Sequence, residues 1–191
     1  MILQVEAPEI LAEAETMLAI LQASNPDLTT DEGNYPFTEC ANFADNIKGM
    51  GYSFQSDWHF NDQIYLADGG TVDDYDYVKP DYDILGALQS LTDFLTGTAD
   101  FDSNYYLSTI GEYFSDLGDQ QSFALRLIVH YCGDIHQPLH TETEVDDQYP
   151  SSDKGGNKED LQSHSGVYNL HGLWDSVIYD YNGYPRVVSV T

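Results

Sequence analysis

Two histidine–aspartate pairs stand four residues apart in this chain. His130 and Asp134 lie in LRLIVHYCGDIHQPLH (125–140), and His171 and Asp175 lie in NLHGLWD (169–175). On an α-helix, residues four apart sit one above the other on one face. An imidazole and a carboxylate held that way offer two zinc ligands, or they form a hydrogen-bonded pair in the core; the spacing allows both. The run Phe123, Ala124, Leu125, Leu127, Ile128, Val129 is apolar enough for a buried helix ahead of His130. Pro138 should close that helix, because the residue before a proline avoids helical angles. His140 then falls just beyond its end. One pair is weak evidence. Two, with His140 between them and Asp45 and His59 upstream, point to a metal site. His136 would face away from the side shared by His130 and Asp134, and His164 lies in a polar loop, so both are read as non-ligands.

The elements that must position these residues read as helices. Pro8 to Ala23 has Ile10, Leu11, Ala14, Met17, Leu18 and Leu21 at helical spacing, with Pro8 suited to a first turn and Asn25-Pro26 as a stop. Pro36 to Gly49 reads as a second helix, with Asp45 between Ala44 and Ile47 near its apolar side; the bland alternative for Asp45 is an exposed helical acid. Residues 51–65 are irregular and aromatic. Residues 67–83 are rich in Gly, Asp and Tyr and read as a surface loop or lid; its acidic run lacks calcium-loop spacing. Helices follow at 84–96, 103–117, 119–133 and 169–179, the last capped by Asn169, with a loop-rich stretch at 141–168 and an extended tail after Gly183.

The totals constrain partners. Thirty-three acidic residues against six basic ones leave a net charge of −27. Such a chain repels nucleic acid in bulk, since polyanion binding relies on Lys and Arg, so a phosphate substrate would need metal cations to attract it. No run is long and apolar enough to span a bilayer as a helix. The opening MILQVEAPE has neither the basic start nor the apolar stretch of a signal peptide. Cys40 and Cys132 allow at most one internal disulfide and form no zinc–thiolate pattern, which leaves their pairing open.

Taken together, FADNIK (43–48), WHFND (58–62), HYCGDIHQPLH (130–140), KGGN (154–157) and NLHGLWD (169–175) resemble, in order and spacing, the zinc-dependent single-strand-specific nucleases of the S1/P1 type, relatives of zinc phospholipase C. The resemblance runs from Pro8 to Tyr179. It implies a mostly α-helical nuclease-type fold with long irregular loops, one domain over residues 1–191, and three zinc ions. By resemblance Asp45, His59, His130 and Asp134 hold one zinc, with Asp134 bridging to a second; His140, His171 and Asp175 hold a third. A zinc pair about 3.5–4 Å apart can activate water and clamp a phosphoryl group, with 5′-phosphate products. Asp45 would orient the water and Lys48 offset charge developing on the phosphate. Phe60 would stack on a base, with Asp62 and Asn157 on its edge, and stacking on an unpaired base is the physical root of a single-strand preference. Phe60 could otherwise be a core aromatic, and Asn157 could simply shape the Gly-Gly turn.

The pattern also departs from the family. No tryptophan or histidine precedes Asp45, so the second zinc keeps only Asp134 and the chain's own donors support two zincs. We therefore expect a chain incomplete at both ends, from a secreted or lumenal protein acting on single-stranded DNA, RNA and nucleotides. Two alternatives stand beside it. A phospholipase-like phosphodiesterase would carry a glutamate where Asp175 stands. A non-catalytic extracellular or assembly protein could keep the fold with an incomplete zinc cluster.

Overall fold

Short polar side chains open most of the long helices, each accepting a backbone N–H that the first turn would otherwise leave unbonded. In the computed structural model, which describes residues 5–99, 103–164 and 167–180, Asp83, Asn104, Asp116 and Asn169 all do this. The helices they open are α4 (Ile84–Leu95), α5 (Tyr105–Tyr113), α6 (Leu117–Asp134) and α7 (Leu170–Asp180). Earlier come α1 (Pro8–Ser24), α2 (Pro36–Glu39) and α3 (Phe43–Asn46). The architecture is mostly α, as the sequence implies.

The chain divides into two compact units. One comprises the chain up to Phe60 together with Asp81–His136; the other comprises Asn61–Pro80 and the chain from Gln137 onward. In the first unit α6 is the central element. Phe123, Ala124, Leu127 and Tyr131 on it are fully buried, and so are its Ser122 and Arg126. Leu18 and Leu21 of α1, Ala87 and Leu91 of α4, and Phe43, Ala44 and Ile47 complete the core around it. A helix buried on most of its circumference must satisfy its polar groups internally. Arg126 does so through both carboxylate oxygens of Glu32 at 2.6 Å, Leu18 O at 3.0 Å and Ser122 Oγ at 2.7 Å.

Some expected boundaries move. Residues 36–49 are not one helix: α2 and α3 alternate with 3₁₀ turns at Cys40–Asn42 and Ile47–Met50, ending at Gly51 with φ +98°. The buried residues Cys40 and Phe43, and Ala44 and Ile47, are three apart, the spacing that a 3₁₀ turn aligns. Residues 51–65 are not irregular throughout. Ser53–His59 is a 3₁₀ helix burying Gln55, Trp58 and His59. The helix expected to run to residue 117 stops at Tyr113, because Asp116 already caps α6.

The second unit holds strands that the sequence reading left as loop. β1 (Gln63–Leu66) pairs in parallel with β2 (Glu142–Val145), and β3 (Asp160–His164) pairs antiparallel with β4 (Val167–Asn169). The acidic stretch 67–83 holds one short 3₁₀ turn, Val72–Asp74. Among the described residues no helix is long and apolar enough to cross a membrane.

Candidate metal centre

Asp45 and Lys48 come from the α3 region, His59 from the end of the 3₁₀ helix, and His130 and Asp134 from the last turns of α6. The fold of the first unit brings four of these together. His59 Nδ1 lies 2.8 Å from Asp134 Oδ2 and 3.1 Å from His130 Nε2, which is itself 3.1 Å from Asp134 Oδ2. Asp45 closes the group at 3.9 Å from His59 Nδ1 and 3.7 Å from His130 Nε2. Both imidazoles are buried, whereas the Asp45 side chain is 60% exposed, so the group is open to solvent on the Asp45 side.

The surrounding bonds decide where the imidazole protons sit. His130 Nδ1 is 2.5 Å from Ala41 O, which can only accept, so Nδ1 carries the proton and Nε2 turns its lone pair to the group. Gln55 Nε2 donates to Ala44 O at 2.7 Å, which aims Gln55 Oε1 at His59 Nε2, 2.7 Å away. Tyr131 donates to the same oxygen at 2.8 Å; burial pushes that phenol well above its ordinary pKa, so it keeps its proton. His59 therefore donates from Nε2 and turns the Nδ1 lone pair inward. Two imidazole lone pairs and two carboxylates then face one another, an arrangement of acceptors that calls for a cation. Tetrahedral zinc needs donors roughly 3.3 Å apart, given bonds of about 2.0–2.1 Å. The spacings of 2.8 to 3.9 Å bracket that value, so the residues fit the ion.

Charge in the group shifts its titrations. Burial lowers His59, and the Asp134 carboxylate, which favours the protonated ring, offsets only part of that. Burial pulls His130 down as well, but Asp134, Ala41 and Asp45 outweigh it and leave it raised. Burial pushes Asp45 up, while the hydrogen bond and charge of Lys48, with Nζ 2.8 Å from Oδ1, bring it below its ordinary value.

In the second unit His140, His171 and Asp175 form another group, with one donor atom from each within 4.8 Å of the others. His171 Nδ1 donates to Gly155 O at 2.7 Å, which leaves Nε2 facing Asp175 Oδ2 at 3.5 Å. Gln137 Nε2 donates to Asp175 Oδ1 at 3.1 Å and its Oε1 accepts from Leu139 N, next to His140. The carbonyl under His171 is set by a tight turn. Ser152, Lys154, Gly155 and Gly156 all have positive φ, and buried Asp153 holds them by accepting from the N–H groups of Glu144, Gly155 and Gly156 at 2.7–3.0 Å. A Cβ on Gly155 would lie 2.2 Å from Leu139 O, so only glycine fits.

The remaining expected site residues are placed as follows. Phe60 is half-buried beside His59, their rings 6.2 Å apart, and is not a core residue. Asp62 is half-buried with φ +49°. Asn157 is exposed, and its Nδ2 donates to Lys154 O within the Gly-Gly turn. His136 is exposed with Nδ1 at Cys132 O. The His164 side chain and the tail after Gly183 lie outside the described residues. Cys40 is buried, Cys132 is exposed, and neither forms a disulfide. Sequence reasoning passed over Gln55, Gln137 and Asp153. The usable signals were Gln55 four residues before His59 and Gln137 three before His140.

Comparison with known proteins places the chain in a family. The chain is 26% identical over 174 residues to Endonuclease 3 of Arabidopsis thaliana, a match covering 88% of this chain and 49% of that protein. It is 42% identical over 57 residues to Endonuclease 2 of the same plant, covering 30% of this chain and 17% of the relative. With Nuclease S1 of Aspergillus oryzae it shares 39% over 59 residues, 31% of this chain and 18% of that enzyme. The chain thus spans about half the length of Endonuclease 3. No solved structure matches it significantly. The S1/P1 Nuclease profile matches residues 9–187, from the first helix past the last, and by that extent the chain belongs to the S1/P1 nuclease family.

Proposed function

We propose that this chain carries the metal-binding and substrate-facing part of a zinc-dependent phosphodiesterase that cleaves single-stranded DNA or RNA, and 3′-nucleotides, to 5′-phosphate products. The observation that carries the reading is the first donor group: imidazole lone pairs from His59 and His130 meet the Asp134 and Asp45 carboxylates, with the outer nitrogens fixed by Gln55 and Ala41. The second group, His140, His171 and Asp175, is braced in the same manner by Gly155 and Gln137. Zinc, held by Asp45, His59, His130 and Asp134 and by His140, His171 and Asp175, would supply Lewis-acid chemistry that polarises phosphate and makes water more acidic.

The protein's own side chains do the rest. The exposed Asp45 carboxylate accepts a hydrogen bond from the attacking water and aims it at phosphorus. Lys48, beside it, offsets negative charge gathering on the phosphate oxygens. Phe60 offers a partly exposed ring to a base, which an unpaired strand can present and a stacked duplex cannot. Asp62 and Asn157 bond the base edge. Secretion into a lumenal or extracellular space is part of the same proposal.

The test is a zinc count on the protein from its full gene, with cleavage of matched single- and double-stranded oligonucleotides and end-group analysis of the products. Three zincs, faster single-strand cleavage and 5′-phosphate ends support the reading. The second reading is a non-catalytic extracellular or assembly protein. It is favoured by the donor set, since among the described residues two groups of metal-ligand type come together, one fewer than the three zincs that the reading expects. Two zincs without hydrolysis would establish that alternative.

A further inference from the structure

Gln55 is fully buried and uses both ends of its amide. Its Nε2 donates to Ala44 O, the residue next to Asp45. Its Oε1 accepts from His59 Nε2 at 2.7 Å and from Tyr131 Oη at 2.8 Å, the residue after His130. One side chain thus touches all three stretches that bring donors to the first group. A neutral amide suits this position for a physical reason. It supplies the donor and the double acceptor together, and adds no third negative charge beside Asp45 and Asp134.

We propose that Gln55 is a positioning residue for the first metal centre: by accepting the His59 Nε2 proton it holds the tautomer and ring angle that turn Nδ1 to the metal. The proposal rests on the zinc reading above. Partners of this kind act on affinity through the ligand they orient, and their removal typically costs about 10–100-fold in metal binding. Gln55 touches neither metal nor substrate, so its contribution appears in affinity and coordination geometry.

A zinc competition titration against a chromogenic chelator tests this. It is run in a His171→Ala background, so that the first group alone reports. Gln55→Met fills the space but accepts nothing from His59. Gln55→Glu keeps the acceptor and loses the bond to Ala44 O. If the amide only braced Ala44, both variants would suffer alike. The expected result is that Gln55→Met loses about 10–100-fold in zinc affinity while Gln55→Glu, whose added charge is unfavourable only in the metal-free protein and attracts the cation, binds zinc no more than about threefold more weakly than the parent. The visible absorption of the cobalt(II) form should be kept in Gln55→Glu and altered in Gln55→Met. Equal losses in the two variants, or no loss in Gln55→Met, overturn the proposal. Should Gln55→Met fail to fold, Gln55→Glu decides alone, and a tenfold or greater loss there overturns it. His130→Ala in the same background separates the two claims. If it keeps its zinc, the metal reading falls and this proposal with it. If it loses zinc while Gln55→Met binds normally, the positioning role alone falls.

Discussion

At the scale of single residues, the first donor group shows how hydrogen bonds assign roles that residue identity leaves open. His130 and His59 are chemically alike, yet one turns Nε2 and the other Nδ1 to the group, because a backbone carbonyl and a glutamine amide claim the opposite nitrogens. His130→Ala or Asp134→Ala should each strip the metal from this group, since only three donors remain and one of them is the exposed Asp45 carboxylate. Elemental analysis after dialysis should show one zinc fewer per chain, and full retention would refute the ligand assignment. Cys40 gives a pH prediction. Burial and the Glu32 charge, partly offset by Arg126, push its thiol from 9.0 up to about 12. A proton held more tightly in the folded state stabilises below the unfolded value and is lost as pH rises toward the folded one. Stability should therefore decline between about pH 9 and 12, and Cys40→Ala should flatten that decline in denaturant melts at pH 8, 9 and 10. A slope unchanged by the substitution would contradict it.

At the scale of elements, short irregular pieces set the geometry more than the long helices do. The turn at 152–156 places Gly155 O under His171, and it closes only because Asp153 gathers several backbone N–H groups. Gly155→Ala combines a positive φ with a clash against Leu139 O. It should cost about 1–3 kcal/mol in stability and weaken zinc binding by the second group at least about tenfold, read by calorimetry and chelator titration. Normal binding would show that the turn does not position His171. The long helix α6 depends on a buried ion pair. Arg126 and Glu32 are 0% and 3% exposed, and the guanidinium also bonds α1 at Leu18 O. Arg126→Met should destabilise by about 3–5 kcal/mol, because the Glu32 carboxylate is left buried and uncompensated. Adding Glu32→Leu should recover much of that loss in urea melts; no recovery would mean that the cost lies in packing.

At the scale of the whole molecule, the charge of −27 decides how a polyanion can approach. Nucleases that grip the backbone with Lys and Arg bind more weakly as salt rises. On the proposed function the bulk field would repel the substrate, and cations in the site would supply the attraction. Raising monovalent salt from about 20 to 150 mM shortens the screening length from about 20 to 8 Å. It should leave KM for a single-stranded oligonucleotide flat or lower it. A steep rise in KM would show a basic binding track that this sequence does not supply.

Much of this protein could be read without coordinates. The apolar periodicity of α1, α4, α6 and α7 and the stops at Pro26 and Pro138 follow from local sterics and hydrophobic spacing, which act within a few residues. The paired spacings His130/Asp134 and His171/Asp175 likewise announce shared helical faces, because a helix repeats over that interval. Other features were decided by contacts between segments far apart in the chain. The parallel pairing of β1 with β2 joins residues nearly eighty positions apart, and strands of four residues carry too little alternation to reveal it. The breaking of 36–49 into alternating turns depends on what Cys40, Phe43 and Ile47 must pack against. Above all, the nitrogen that each histidine presents depends on which carbonyl or amide lies behind the ring, and Gln55, Ala41 and Gly155 reach those positions only when the chain is folded.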